Sequence, residues 1–269
     1  MKSASSDTSS ILSRAAVKSN IKLNASNFIL GLVPERALPG PRPGQFFMFG
    51  IDSRKDPLLR RPFCYFRKED GAIQILYRVV GRVTTLMTGL RAGETVEILG
   101  PLGNGYPDFL GSKAEEAGNG KGKTPLVIAG GVGLASVYPL LAGLDGRAHL
   151  FYGERTGASL LLVDELRRLS GQVTLATEDG SAGFKGTAAE AAKVFLKGRD
   201  KKDFTLYACG PNGMLKAASA LGVDGYIASE EKMACGVGVC LGCAVKTAGG
   251  FKRACKDGPV FKIGEALFD

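Results

Sequence analysis

The sequence predicts an α+β protein of several domains: an antiparallel β-barrel, a parallel α/β domain and a small cysteine-rich C-terminal domain. Three observations lead to this prediction. Short apolar strands separated by Pro- and Gly-rich turns fill the first part of the chain. Strands then alternate with helical segments, and several cysteines are close together near the C-terminus. The length of 269 residues accommodates two or three domains.

The predicted barrel occupies residues 18–111, where runs such as QFFMFGI and AIQILYRVV are separated by breaks such as LPGPRPG. Residues 1–17 are rich in Ser and lack a continuous apolar stretch. They are therefore predicted to be a disordered tail and not a secretory signal. Residues 112–124 are poor in apolar side chains and rich in Gly and Lys, which predicts a linker.

The predicted α/β domain occupies residues 125–227. PLVIAGGVGLASVYPLLAGL has the pattern of a buried strand, a glycine turn and a helix, and RAHLFYG, QVTLATEDG and FTLYACGPNG follow as further strands. This alternation indicates a parallel sheet. The remaining residues, 228–269, are too few to hold a core by themselves, so a metal centre is expected to supply the missing stabilisation.

The cysteine pattern of this last segment, MACGVGVCLGCAVKTAGGFKRAC, is the most informative motif in the chain. The spacing C-x4-C-x2-C with a later fourth Cys is typical of plant-type [2Fe–2S] proteins. The intervening glycines remove bulk and let backbone N–H groups turn toward the sulfurs. The predicted iron ligands are Cys235, Cys240, Cys243 and Cys255.

A structural zinc site and disulfides are the two alternatives for these cysteines. Zinc sites favour paired C-x2-C motifs, and this segment contains one such pair. Disulfides are disfavoured in a chain with no secretory signal.

Composition excludes several other classes of protein. No apolar run approaches the length of a membrane span, so a cytoplasmic protein without membrane contact is expected. The net charge of +9 comes from scattered Lys and Arg, which favours sites for phosphate-bearing cofactors over nucleic-acid binding. The single histidine, His149, has the setting of a packed strand residue and argues against a hydrolytic triad. No catalytic side chain is predicted, because the chemistry is expected to come from bound cofactors.

Two motifs in the barrel region suit phosphate groups. Arg61 can donate a bidentate fork to a phosphate, Pro62 fixes the entry of the following strand, and Cys64 points toward the bound group. The segment Gly81–Thr85 offers backbone amides to a pyrophosphate. Two such sites on adjacent strands fit an extended dinucleotide such as FAD.

Two loops of the α/β region suit a nicotinamide cofactor. Gly130, Gly131 and Gly133 form a partial G-x-G-x-x-G turn, for which a generic tight turn remains an alternative. Glu154 lies 21 residues past Gly133, the usual place of an acid that binds a ribose 2′-hydroxyl, although Arg155 beside it would favour a 2′-phosphate.

The second loop, at the end of a later strand, would let a nicotinamide lie close to the backbone. Its alternative is a buried cysteine that packs before a helix. The residues of this loop are Cys209, Gly210 and Pro211.

Together, RRPFCYF, LYRVVGRVTTL, AGGVG, YACGPNGM and the cysteine motif resemble the ferredoxin-reductase family. Within it, they are similar to electron-transfer subunits of NAD-dependent dihydroorotate dehydrogenases. The resemblance implies an FAD-binding barrel, an NAD-binding α/β domain and a [2Fe–2S] domain. The flavin contacts that it implies are Arg61, Pro62, Phe63, Cys64, Leu76, Tyr77, Arg78, Val83 and Thr84. In two departures from the family, Cys64 replaces a Ser expected near flavin N5 and Val83 replaces a Gly near the pyrophosphate.

The resemblance also implies a function in pyrimidine biosynthesis. Electrons from dihydroorotate, oxidised at FMN in a separate catalytic subunit, would pass through [2Fe–2S] and FAD to NAD+. The expected assembly is a heterotetramer with two copies of each chain. The alternatives are a subunit of an NADH-dependent ferredoxin:NADP oxidoreductase or sulfide dehydrogenase, and a zinc-stabilised binding protein on a reductase-like fold.

Overall fold

The computed structural model describes residues 11–51, 57–107 and 122–267. These residues form two seven-stranded sheets and a two-stranded hairpin. The predicted combination of an antiparallel sheet, a parallel α/β sheet and a small C-terminal region is confirmed. None of the described helices is long and apolar enough to span a bilayer.

The first sheet corresponds to the predicted barrel, and all its neighbouring strands are antiparallel. Its strand order is β4-β3-β7-β1-β2-β6-β5. A short helix, α1, joins β6 to β7. The elements are β1 (Ile11–Lys22), β2 (Asn27–Pro34), β3 (Phe46–Ile51), β4 (Arg61–Cys64), β5 (Arg67–Glu69), β6 (Ala72–Arg78), α1 (Arg82–Met87) and β7 (Thr95–Leu102).

The prediction of a disordered tail over residues 1–17 is wrong from Ile11 onward. Strand β1 begins at Ile11 and pairs with both β2 and β7, so it lies in the middle of the sheet. Ser13, Ala15 and Val17 alternate inward and are at most 4% exposed. The inward side chains are mostly small, so the two-residue period carried little apolar signal. Residues 1–10 lie outside the described residues.

The second sheet contains parallel strands with helices between them, as the alternating pattern predicted. Its order is β11-β10-β9-β8-β12-β13-β16, in which only the edge strand β16 is antiparallel. The strands are β8 (Thr124–Gly130), β9 (His149–Glu154), β10 (Gln172–Thr177), β11 (Phe184–Lys185), β12 (Phe204–Cys209), β13 (Gly225–Ala228) and β16 (Val260–Lys262). The helices are α2 (Leu134–Leu144), α3 (Val163–Leu169), α4 (Ala188–Phe195) and α5 (Asn212–Ser219), with 3₁₀ turns at Gly131–Gly133, Gly157–Ser159 and Lys201–Asp203.

Strand β8 is central, and the side chains from Leu126 to Ala129 are completely buried. A continuous apolar run is typical of a parallel strand that is covered on both faces. Strand β8 begins at Thr124, the last residue of the predicted linker. Residues 112–121 of that linker lie outside the described residues.

The order of the parallel strands creates a topological switch point. The chain moves outward from β8 through β9 and β10 to β11, then returns to the other side of β8 with β12. The loops that follow β8 and β12 therefore leave the sheet in opposite directions. Ligands of open α/β sheets bind in the crevice at such a point, at the carboxyl ends of the strands.

Residues 229–259, called the cysteine segment below, are inserted between β13 and β16. The segment contains the hairpin β14 (Ala244–Thr247) and β15 (Gly250–Arg253). Because β16 returns to pair with β13, the predicted 228–269 region is not an independent layer. One continuous core joins Met48 of the barrel, Leu206 of the α/β sheet and Cys255 of the segment.

Candidate cofactor sites

The four predicted iron ligands form two pairs. In the first pair, the backbone N–H groups of Val237 and Cys240 donate to Cys235 Sγ, each at 3.5 Å. The N–H of Gly242 donates to Cys240 Sγ at 3.4 Å. The bonds to Cys235 Sγ lower the pKa of Cys235 to about 6, with the Cys240 N–H as the largest cause. The thiolate, which is the form that binds metal, is therefore favoured at this position.

The second pair is buried. Cys243 and Cys255 are each 2% exposed, and the N–H of Cys255 donates to Cys243 Sγ at 3.4 Å. Burial, followed by the neighbouring Cys243, raises the pKa of Cys255 to about 12. Two thiolates on each iron are what a [2Fe–2S] cluster requires, so this donor set fits the cluster. Within the described chain, no group of three or more His, Cys, Asp or Glu residues is close enough to hold one ion.

The loop of the first pair packs directly on the barrel. Gly236 has φ +72°, and a Cβ at this position would lie 2.4 Å from Met48 Cγ on β3. Both the backbone conformation and the available space therefore require glycine here. This contact places the loop between Cys235 and Cys240 beside the barrel strand next to β4, where the flavin contacts are predicted.

The structure gives two of the predicted flavin contacts a packing role. Tyr77 is 1% exposed, stacks on Phe28 at 5.4 Å between ring centroids and meets the edge of Phe63 at 6.2 Å. Its hydroxyl donates to Asn20. Because side chains alternate along β6, Tyr77 faces the barrel core while Leu76 and Arg78 face the α/β domain.

At the start of α1, Val83 stands where the family resemblance implies a glycine. The Val83 side chain is 6% exposed and packs in the barrel core. Thr84 Oγ1 accepts hydrogen bonds from the N–H groups of Val80 at 2.9 Å and Gly81 at 3.1 Å. The Thr84 hydroxyl thus shapes the turn into the helix.

Cys64 lies where the barrel meets the α/β sheet. It packs against the same core cluster as Cys209 at the end of β12. Burial is the main cause that raises the pKa of Cys64 to about 12 and the pKa of Cys209 well above its usual value. Both thiols therefore stay protonated near neutral pH. The exposed Glu230 carboxylate is near both thiols and raises their pKa values further.

Sequence reasoning did not identify Ser136 and Glu230 as neighbours of these thiols. Ser136 lies on α2, is completely buried and is close to both sulfurs. Its only signal in the sequence was its position where a dinucleotide fingerprint has the third glycine. Glu230 had no such signal, because its position depends on the end of β13 reaching the boundary between the two sheets.

The two loops predicted to bind NAD meet at the switch point. A Cβ on Gly133 would lie 2.5 Å from the Cys209 carbonyl oxygen, and one on Gly130 would lie 3.0 Å from Pro211 Cδ. A Cβ on Gly210 would in turn lie 3.0 Å from the Gly130 nitrogen. The glycines therefore let the backbones of the two loops approach each other closely. A generic tight turn after β8 would not by itself require this close approach.

Arg78 and Glu154, predicted for two different cofactors, form an ion pair between the two sheets. The Glu154 side chain is 4% exposed, against 31% for Arg78. Burial raises the pKa of Glu154, and Arg78 opposes this rise. Arg78 Nε also donates to Asn27 Oδ1 at 3.2 Å. A Cβ on Gly131 would lie 3.5 Å from Arg78 Nη1, so the pair adjoins the glycine turn. The predicted contact between Glu154 and a ribose would have to share this carboxylate with Arg78.

The remaining predicted flavin residues, Arg61 and Pro62, lie at the start of β4 and are partly exposed. Arg61 Nη1 donates to the Leu59 carbonyl at 2.7 Å. His149 is packed as expected: it is 5% exposed, stacks on Phe151 and has Nε2 2.9 Å from Thr174 Oγ1.

Comparison with known proteins matches two parts of the chain to described domains. Residues 230–266 match the iron–sulfur cluster binding domain of dihydroorotate dehydrogenase B, and residues 127–220 match the oxidoreductase NAD-binding domain. The first range contains all four paired cysteines. The second contains the loops of the switch point.

A solved structure shares almost the whole architecture. A chain of the NADH-dependent reduced ferredoxin-NADP oxidoreductase is 26% identical with a TM-score of 0.77, and the match covers 95% of this chain and 90% of that chain. The cytochrome b5 reductase domain of Ulva prolifera nitrate reductase matches 79% of this chain and 94% of its own, with 18% identity and a TM-score of 0.61. The latter likeness shows the fold.

Curated relatives are more similar in sequence. The dihydroorotate dehydrogenase B (NAD(+)) electron transfer subunit of Desulforamulus reducens is 36% identical over 84% of this chain and 87% of its own length. The corresponding subunit of Clostridium acetobutylicum is 35% identical over 94% of this chain and 96% of its own. Identity at this level over nearly the full length shows that the chain belongs to the family of dihydroorotate dehydrogenase B electron transfer subunits.

Proposed function

We propose that this chain is the electron-transfer subunit of an NAD-dependent dihydroorotate dehydrogenase. It receives electrons from the FMN of a catalytic subunit and passes them to NAD+. One observation supports this most strongly: Cys243 and Cys255 belong to a core that includes Met48 of the barrel, and Cys64 of β4 packs against the core cluster that contains Cys209. A [2Fe–2S] cluster passes single electrons and FAD collects two for a hydride, which explains why both are needed between FMN and NAD+.

Each cofactor has its own set of residues in this proposal. Cys235 and Cys240 hold one iron, and Cys243 and Cys255 hold the other. The flavin is bound in front of β4 and β6, where Arg61 contacts a phosphate and Cys64 faces the reactive edge of the ring. The N–H groups at the start of α1 face the pyrophosphate.

NAD is bound in the crevice between the two glycine-containing loops. Gly131 and Gly133 bring the backbone close to the pyrophosphate, and Cys209, Gly210 and Pro211 line the nicotinamide position. Since Cys64 and Cys209 share one core cluster, these residues orient the nicotinamide toward the flavin. Both thiols remain protonated, so neither acts as a nucleophile here.

The partner in this proposal is an FMN-containing catalytic subunit, in a heterotetramer with two copies of each chain in the cytoplasm. The described chain has no identified FMN site or base for dihydroorotate, and the relatives are named as electron transfer subunits. The ferredoxin:NADP alternative is not favoured, because its solved chain is 26% identical whereas the relatives above reach 36%.

The visible spectrum of the purified chain tests this assignment. Flavin bands together with the broader absorption of an iron–sulfur centre are expected, and NADH should bleach both without air. Iron and acid-labile sulfide should be present in equal amounts. A colourless protein that contains zinc would contradict the proposal and support a binding protein on a reductase-like fold.

A further inference from the structure

Arg253, at the end of β15, makes a forked contact within the cysteine segment. Its Nε donates to Asp257 Oδ2 at 2.9 Å and its Nη2 to Asp257 Oδ1 at 3.1 Å. The backbone N–H of Arg253 donates to the same carboxylate at 2.8 Å. The Asp257 N–H in return donates to the Arg253 carbonyl at 2.7 Å. The turn that carries Cys255 is therefore closed by one arginine and one aspartate.

The third guanidinium nitrogen of Arg253 reaches the other half of the cysteine set. Its Nη1 donates to the Gly238 carbonyl at 3.1 Å, and Gly238 lies between Cys235 and Cys240. Gly238 has φ +83°, and a Cβ there would lie 3.0 Å from Lys256 Cβ, so the two loops are in close contact. One side chain thus connects the loop of the first cysteine pair to the turn of the second.

The turn is also fixed to the barrel. The Asn104 N–H donates to the Gly258 carbonyl at 2.6 Å, and Asn104 Nδ2 donates to the Asp257 carbonyl at 3.0 Å. Asn104 follows β7, so the Asp257 turn has a rigid support outside the cysteine segment. Arg253 extends this support to the loop of Cys235 and Cys240.

The charge of Arg253 is close to the cysteine set, because Arg253 lies two residues before Cys255 and its Nη1 reaches Gly238, between Cys235 and Cys240. Lys252, the adjacent cation, instead pairs with Glu265. A positive charge near an iron–sulfur cluster favours its reduced, more negative state. The bidentate carboxylate keeps the guanidinium in a fixed orientation, which a lysine could not reproduce.

We propose that Arg253 is a positioning residue that holds the two cysteine pairs together and raises the reduction potential of the cluster. This inference rests on the proposed function, because it requires the four cysteines to hold a [2Fe–2S] cluster. Arg253 would then affect two separate properties of the cluster. The hydrogen bonds determine how well the cluster is retained, and the charge affects its potential.

Four variants of the full chain separate these properties: Arg253→Gln, Arg253→Lys, Asp257→Asn and the control Lys252→Gln. The control removes a neighbouring cation whose partner is Glu265. Two quantities are measured for each reconstituted variant. The first is the midpoint potential of the cluster, from a redox titration followed by EPR, and the second is the rate of iron release to a chelator.

Arg253→Gln is expected to lower the midpoint potential and to release iron about tenfold faster, the lower end of the effect of outer-shell partners on metal affinity. Arg253→Lys should keep the wild-type potential but release iron faster, since it retains the charge without the fork. Asp257→Asn should release iron faster and have a higher potential. Lys252→Gln should release iron at the wild-type rate.

Arg253→Gln matching the Lys252→Gln control in both measurements would overturn the inference. Wild-type iron release from Arg253→Lys would overturn the positioning role. Both Arg253 variants could also fail to take up iron while Lys252→Gln takes it up normally. If all these proteins have the same thermal unfolding transition, that result would support the positioning role. A wild-type chain that lacks the [2Fe–2S] spectrum would overturn the proposed function itself, which distinguishes the two failures.

Discussion

The two large sheets and the cysteine segment are ordered by different means. In strand β8, four consecutive side chains from Leu126 to Ala129 are completely buried. In the cysteine segment, Val239 is 80% exposed and Phe251 is 76% exposed. The sheets therefore gain stability from apolar burial, whereas the segment exposes much of its apolar surface.

The cysteine segment also differs from the sheets in which side chains it buries. Two of its most buried residues, Cys243 and Cys255, are predicted iron ligands. Hydrogen bonds from N–H groups to sulfur and the Arg253–Asp257 contact are further contacts within the segment. The segment therefore adds only a few buried side chains to the core that it shares with the sheets, and a bound cluster is expected to supply further stabilisation.

The largest expected effect comes from removing one ligand. Cys240→Ser should abolish or severely deplete the [2Fe–2S] signal, because an alkoxide is a poor substitute for a soft thiolate. The sheets should keep their thermal transition, since Cys240 is exposed and outside their cores. Iron and sulfide analysis checks this outcome. Cys64→Ser is the matched control and should retain full iron, while full iron and sulfide in Cys240→Ser would remove that residue from the ligand set.

The converse substitution weakens a sheet. Ile128→Ala, at a completely buried position of β8, should lower the free energy of unfolding by about 2–5 kcal/mol, because it leaves a cavity. Phe251→Ala in the segment removes a larger but exposed side chain and should cost less than about 0.5 kcal/mol. Urea unfolding measures both. Equal losses would contradict the contrast between the regions.

Much of this contrast was predictable from the sequence. The uninterrupted run PLVIA predicts a central parallel strand, and the cysteine spacing predicts the ligand set without any tertiary information. Strand β1 was missed because small Ser and Ala side chains carried its alternation. The pairing of β16 with β13 was missed because the final strand is three residues long.

The sites were less predictable than the fold, because their contacts join distant parts of the chain. The motifs placed Arg78 and Glu154 at different cofactors, yet the two residues pair, since the ends of β6 and β9 meet at the boundary of the sheets. The period of a strand could have shown that Tyr77 and Arg78 face opposite sides. The Arg253–Gly238 contact depends on a loop conformation that no local pattern predicts.

The flavin site provides an intermediate test, because its residues lie on the stable part of the molecule. Arg61→Ala should weaken FAD binding by roughly 1.5–3 kcal/mol, the value of a charge-assisted hydrogen bond, without loss of iron. FAD retention after dialysis and a fluorescence titration measure the change. Arg167→Gln, which affects an exposed surface ion pair on α3, is the control. Unchanged FAD occupancy would count against a phosphate contact at Arg61.

The smallest expected effect is a dependence of stability on pH, caused by a histidine in the α/β sheet. Burial lowers the pKa of His149 from 6.5 to about 4. The unfolded chain therefore takes up this proton first as the pH falls, so His149 makes stability decrease from about pH 6.5 toward pH 4 and then level off. Urea midpoints of wild type and His149→Gln should diverge over this window. Parallel pH profiles would show that the histidine does not contribute.

Electrons from the catalytic partner are expected to reach the flavin only through the cysteine segment, and one paired assay tests this route. Wild type and Cys240→Ser are each assayed for NADH-dependent dye reduction alone and for dihydroorotate-dependent NAD+ reduction with the catalytic subunit. Both proteins should reduce the dye, because dyes take electrons directly from the flavin. Only wild type should support the coupled reaction. Full coupled activity in Cys240→Ser without a cluster, or dihydroorotate oxidation by the isolated chain, would contradict this route.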